Sequence, residues 1–306
     1  MSPVLAVEML NVTKAYGEHT AVDDLSLAVP QGCVYGLIGP NGSGKTTTMR
    51  LVMDILRPDR GTIRVLGEPL AGACTDRVGY MPEERGLYKK MRVREILEFY
   101  GLLKNASDAR EEAGRWIERL GLDDWADKKV EALSKGMGQK VQFIAAVVAH
   151  PELVILDEPF AGLDPVNADV IREAVLELRD RGTTVILSTH DMNVAERMCD
   201  FISMVFRGKK VLDGTLAAIQ NQYGQDTIRI RTEDGGAVLD GIQGVAKIRD
   251  FGRIQEVQLA GQRDPQEIVA EIMSRARVVG FEIAKPSLHD IFVRIAGPSS
   301  EEQTGA

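Results

Sequence analysis

The sequence predicts an α/β fold: a largely parallel sheet covered on both faces, interrupted by a helical insertion and followed by a small α+β domain. Three observations predict it. Apolar strand-like runs such as CVYGLIG, LVILDEP and TTVILSTH alternate with stretches of helical spacing, the strands give way to helices alone from about residue 92 to 150, and strands resume near the end in a separate βαββαβ order.

The elements follow in order. Residues 4–38 read as short strands: VLAVEMLNV, a turn at YGEHT, AVDDLSLAV, and a turn at Pro30-Gln31-Gly32 that leads into CVYGLIG. CVYGLIG is apolar enough to be buried and runs straight into GPNGSGKTTTMRLVMDIL, whose second half has helical spacing. That is strand, glycine loop, helix. GTIRVLGEPL returns to strand and turn character, and RVGYMPEE places a short strand before a polar loop. VREILEFYGLLK and SDAREEAGRWIERLGL are the first helices of the insertion, and a third opens at LSKGMGQK, residues 133–140, where Ser134 is a good N-cap. Strands return as LVILDEP, TTVILSTH and FISMVFRGKKVLDG, with IREAVLELRDRG helical between the first two.

After the polar stretch AAIQNQYGQD the tail reads DTIRIRT (strand), GAVLDGI (helix), VAKIRD and RIQEVQLA (strands), DPQEIVAEIMSRAR (helix) and VVGFEIA (strand), with a last helix at SLHDIFVRI. This is a ferredoxin-like order. The expected domains are therefore 1–218, with the helical subdomain at about 88–150, an accessory domain at 219–296, and a disordered tail at 297–306.

Composition narrows the function classes. The 306 residues are 44% apolar, enough for a sizeable core, and the formal charge of −8 offers no basic stripe for wrapping nucleic acid unaided. Cys33, Cys74 and Cys199 lack CxxC spacing, which argues against a disulfide framework or zinc site and for a reducing cytoplasm. MSPVLAVEMLNVTK has no basic n-region and does not read as a signal peptide. No apolar run approaches the roughly 20 residues that cross a bilayer, so work at a membrane would need a partner to hold the chain there.

Two motifs carry chemistry. Gly39, Pro40, Asn41, Gly42, Ser43, Gly44, Lys45 and Thr46, with Thr47 following, satisfy the Walker A pattern between a buried strand and a helix. Glycines turn backbone amides toward phosphates, and the helix N-terminus adds positive potential. Lys45 is expected to reach the β and γ oxygens, and Thr46 to offer its hydroxyl to Mg²⁺. Leu153-Val154-Ile155-Leu156-Asp157-Glu158 has the form of a Walker B strand, with Asp157 held beside Mg²⁺ and Glu158 placed to orient a water and accept its proton.

With these motifs, the chain resembles the ATP-binding subunit of an ABC transporter over about residues 4–215. Tyr16 matches the aromatic that stacks on adenine, Leu133-Ser134-Lys135-Gly136-Met137 the family signature, Ala161-Gly162-Leu163-Asp164 the D-loop, and His190 in LSTHD the switch histidine. The resemblance implies ATP and Mg²⁺ as cofactors and a head-to-tail pair of ATP-binding subunits, in which Ser134 and Gly136 of one cover the γ-phosphate held by the other. It also implies a catalytic role for Glu158 and His190. LSKGMGQKVQFIAAV, PEERGLY and PSLHDIF further resemble a branch of exporter ATPases that includes sodium-extrusion and drug-resistance systems. That implies a separate membrane permease, no nucleic-acid partner, and a cytoplasmic location on the inner face of the cell membrane.

Three departures from the family pattern stand out. Lys135 and Met137 replace a glycine and a glutamine of the usual LSGGQ, and Lys135 reads either as a compensating cation near the phosphates or as a solvent-facing lysine. Glu83 stands at the Q-loop glutamine, either as a Mg²⁺-binding carboxylate or as an ordinary exposed acid. Ala161 removes the hydroxyl of the common SGLD. The competing reading, a soluble ABC ATPase in translation or DNA maintenance, would usually bring two modules, coiled coils or basic segments. A clamp without turnover would lack the acid or the histidine. His19, His150 and His289 read as packing, capping or exposed residues, Trp116 and Trp125 as core anchors, and DAREEAGR as a solvated helix face.

Overall fold

A computed structural model describes residues 4–70, 76–84, 86–223, 227–233, 239, 241–252, 254–260 and 264–297. The chain divides into two compact units, Met1–Leu216 and Ala217–Ala306.

The first unit runs β1 (Leu5–Tyr16), β2 (His19–Pro30), β3 (Val34–Ile38), α1 (Lys45–Val52), β4 (Arg60–Val65), β5 (Glu68–Pro69) and β6 (Val78–Met81). The helices α2 (Val93–Leu103), α3 (Ala109–Arg119) and α4 (Lys135–Val147) follow. Then come β7 (Leu153–Asp157), α5 (Pro165–Asp180), β8 (Thr184–Thr189), α6 (Met192–Met198), β9 (Phe201–Phe206) and β10 (Lys209–Gly214). The strands form a four-stranded sheet ordered β2-β1-β4-β5 and a six-stranded sheet ordered β10-β9-β3-β8-β7-β6. The second is parallel from β9 to β6.

Every residue of β3, β7 and β8 is buried, as central strands of a doubly covered parallel sheet require. Alternate side chains divide between two cores. Val154 and Leu156 face the helical side with Phe143, Ile96 and Leu187, whereas Leu153 and Ile155 face the other with Met9, Leu37 and Leu51. The register sets the site: Ile38 pairs with Thr189 and Asp157 with Ser188, so β3, β7 and β8 end side by side. Ligands of open α/β sheets bind at such strand ends.

Several local expectations change. The first turn is tighter than YGEHT suggests, because Tyr16 still pairs with His19 and only Gly17 and Glu18 turn. FISMVFRGKKVLDG is a hairpin, β9 and β10 joined at Arg207-Gly208, where both residues take positive φ. Trp116 is a core residue, stacked edge-on to Phe143 at 5.8 Å, but Trp125 lies half-buried on a 3₁₀ turn. Nor is DAREEAGR wholly a solvated face: Glu112 is buried against Arg115, and His150 meets Asp108 at 3.0 Å.

The second unit contains α7 (Leu216–Gln222, entered from the first), β11 (Thr227–Thr232), β12 (Val245–Asp250), β13 (Gln255–Leu259), α8 (Pro265–Arg275), β14 (Val278–Ala284) and α9 (Leu288–Ala296). AAIQNQYGQD, read as a polar connection, thus holds a helix. The sheet order is β12-β13-β11-β14, with antiparallel neighbours throughout. Ile228, Ile230, Val257, Ile268 and Ile272 form its core. The helix expected at GAVLDGI falls largely outside the described residues, as do Cys74, Arg85 of PEERGLY and positions 298–306 of the tail.

Candidate nucleotide-binding site

The loop after β3 is shaped by close approach. A Cβ on Gly39, at φ +150°, would meet Val205 O at 2.1 Å, and one on Gly44, at φ +108°, would meet Ala21 O at 2.4 Å. Only glycine fits either position. Gly44 is the N-cap of α1, so the first-turn amides of that helix open onto the loop. The cleft there has a volume of about 230 Å³ and is walled by Tyr16, His19, Ala21, Gly42, Gly44, Lys45, Thr46 and Thr47. Asn41 is exposed beside it, while Pro40 accepts the Ser43 N–H at 3.2 Å.

Lys45 is buried, its Nζ donating to Gly39 O at 2.7 Å and Pro40 O at 3.1 Å. Burial pulls its ammonium below the ordinary lysine range, and the carboxylates of Glu158, Asp157 and Glu83 work against that shift. The Nζ lies 3.9 Å from Glu158 Oε1, which also meets His190 Nδ1 at 2.9 Å. Three sequence motifs thus converge on one oxygen.

Ser188 organises the acids, a role the sequence did not single out. Its hydroxyl donates to Asp157 Oδ1 at 2.6 Å and accepts the Glu158 N–H at 3.0 Å. Glu158 has φ +48°, a left-handed conformation that a non-glycine residue adopts at a cost. The Ser188 bond holds that bend. Tyr80 stands near Asp157, and burial followed by that carboxylate pushes its hydroxyl up while an Arg50 hydrogen bond opposes.

Asp157 Oδ2 is buried and has no hydrogen-bond partner. An orphaned carboxylate oxygen in a residue only 1% exposed fits a hard cation that takes oxygen ligands. Asp157 and the half-buried Thr46 are therefore suited to Mg²⁺. Glu83 is exposed on its loop, yet its charge reaches Lys45 and Tyr80.

A second group gathers at the start of α4. Ser134 is exposed and caps that helix, accepting the Met137 N–H at 3.3 Å. Gly136 faces Asn167, whose N–H is accepted by Asp164 at 3.0 Å, a bond that holds the Asp164 carboxyl below its ordinary range. Lys135, exposed as a residue, lays its ammonium over Gly162: a Cβ there would fall 2.0 Å from Nζ. Ser134, Gly136 and Asp164 are thus brought together, but none of them walls the Lys45 cleft.

Residues 22–161 match the family described as ABC transporter, and residues 214–296 match the C-terminal domain described as ATP-binding protein DrrA1-3-like. The chain is 40% identical over 289 residues to the uncharacterized ABC transporter ATP-binding protein YhaQ of Bacillus subtilis (strain 168), covering 94% of this chain and 97% of the relative. It is 34% identical over 312 residues to the Nod factor export ATP-binding protein I of Paraburkholderia xenovorans (strain LB400), covering 98% and 100%. A solved structure described as the ATP binding subunit of an ABC transporter matches with a TM-score of 0.67 at 31% identity, covering 72% of this chain and 93% of that one.

Proposed function

The chain belongs to the ABC transporters as an ATP-binding ATPase subunit, and from that premise we propose that it hydrolyses ATP in a site shared by two subunits and so drives export through a separate permease. One observation carries the shared site. The start of α4 is exposed and contributes no wall to the Lys45 cleft of its own chain. A helix N-terminus capped by an exposed Ser134 is an anion site, and the γ-phosphate of a nucleotide held by a second subunit completes it.

In this reading Tyr16 stacks on the adenine and the loop from Gly39 to Thr47 cradles the phosphates. Lys45 holds the β and γ oxygens. Asp157 and Thr46, with Glu83 alongside, hold Mg²⁺, which when bound neutralises phosphate charge. Glu158 orients the attacking water and accepts its proton, while His190 fixes the carboxylate and bonds the γ-phosphate. Asp164 and Gly136 shape the face presented to the second subunit.

Loss of the γ-phosphate removes the group both halves hold, so the pair opens and the motion can pass to the permease. Among the described residues no helix is long and apolar enough to cross a membrane. In this reading the membrane path belongs to the permease, with this chain on its inner face. The Nod factor export relative supports the export direction. No observation favours a soluble role in translation or DNA maintenance.

The test is turnover per chain against dilution. A shared site predicts that specific activity collapses as the chain is diluted to monomer, and undiminished turnover by a strict monomer would overturn the proposal.

A further inference from the structure

One face of α4 carries two buried amides, Gln139 and Gln142, three residues apart. Gln139 Nε2 donates to Pro159 O at 3.2 Å, the carbonyl next to Glu158. Gln142 Nε2 donates to Pro82 O at 2.6 Å and to Glu84 O at 3.2 Å, so one amide holds the backbone on both sides of Glu83. Two carbonyl acceptors fix the nitrogen on that side.

The arrangement carries a stability cost. Gln142 is 4% exposed, and its Oε1 is buried with no hydrogen-bond partner. An apolar residue of similar size would leave no such orphan, so the amide earns its place through its two donors. Those donors join the loop between β6 and α2 to a helix buried continuously from Gly138 to Val147. Ser134 lies eight residues before Gln142 on the same element, about 12 Å along its axis.

We propose that Gln142 is a positioning residue that couples the start of α4 to Glu83. Engagement of Ser134 by a phosphate shifts or stiffens α4 as a body, and the Gln142 amide carries that change to the carbonyls at 82 and 84. Glu83 then reaches its working position beside Lys45 only when the second subunit is engaged. The proposal rests on the shared-site reading above. Coupling through a rigid, hydrogen-bonded element is the physical requirement it meets.

Hydrogen exchange on the full chain separates the outcomes. In Glu158→Gln, ATP with Mg²⁺ is expected to slow exchange both at 134–137 and in the peptide containing 82–84. Adding Gln142→Met, which keeps the volume and removes both donors, should leave ATP bound and protection at 134–137 unchanged. The 82–84 peptide should exchange roughly tenfold faster, as the loss of two hydrogen bonds implies. Retained protection at 82–84 would overturn the coupling. So would loss at both segments with ATP still bound, which would make Gln142 a general support of α4. Absence of ATP-driven protection at 134–137 before the second change would overturn the shared site itself, and the coupling with it.

Discussion

Oε1 of Glu158 sits between two motifs, 2.9 Å from His190 Nδ1 and 3.9 Å from Lys45 Nζ. An ionised carboxylate only accepts, so when Glu158 is ionised the facing His190 nitrogen is the donor in this contact. The histidine therefore orients Glu158. Replacing Glu158 with Gln should preserve ATP binding and pairing while cutting turnover by about 10²–10⁴-fold, the usual worth of a general base. His190→Ala should also lower turnover, even at saturating ATP. Phosphate release under saturating ATP checks both, and a fully active Glu158→Gln enzyme would remove the base assignment.

Ser188→Ala strips a partner from Asp157 Oδ1 and from the Glu158 N–H together. Each buried group left unpaired costs about 1–3 kcal/mol. The denaturation midpoint of the nucleotide-free chain should fall accordingly, with turnover falling as well. An unchanged midpoint would mean that the two bonds contribute nothing to holding the bend at Glu158.

Alkaline pH should act on Lys45 in two opposite ways. Burial holds its folded-state pKa below the ordinary 10.5. Between that lowered value and 10.5 the unfolded chain binds more protons than the folded one, so this residue's contribution to stability rises with pH. Nucleotide affinity moves the other way, because the neutral amine no longer attracts phosphate. Paired titrations of the denaturation midpoint and of nucleotide affinity should show both slopes, and Lys45→Met should lack both. Parallel behaviour of the two proteins would refute the assignment.

Gly162→Ala places a methyl where the Lys135 ammonium lies and forces a non-glycine residue to φ +67°. The substitution should hurt ATP-driven pairing more in the native chain than in one already carrying Lys135→Gly. A double-mutant cycle on the pairing constant should give a coupling of about 0.5 kcal/mol or more. Strict additivity would mean that Lys135 rests on the D-loop without affecting it.

Much of the nucleotide cleft was legible because its signals are local. Gly39 to Thr46 lie between a buried strand and a helix, and Asp157 ends an apolar run, so a few consecutive residues suffice. Ser188 was not legible, because its value depends on pairing opposite Asp157 across two strands far apart in sequence. The same holds for Gln139 and Gln142, whose amides look solvent-directed until α4 is found buried all round from Gly138 to Val147. Lys135 was read as either facing phosphate or facing water; its contact with Gly162 depends on where the loop before α5 folds back. The helix α7 went unread because only Ile219 on it is buried, which leaves no apolar stripe to find.

The most direct measurement is sedimentation of Glu158→Gln, with and without Ser134→Arg, in the presence of ATP and Mg²⁺. The account predicts a dimer for the single variant and a monomer with unimpaired ATP affinity for the double one. A dimer that forms equally well with Arg at the start of α4 would contradict it.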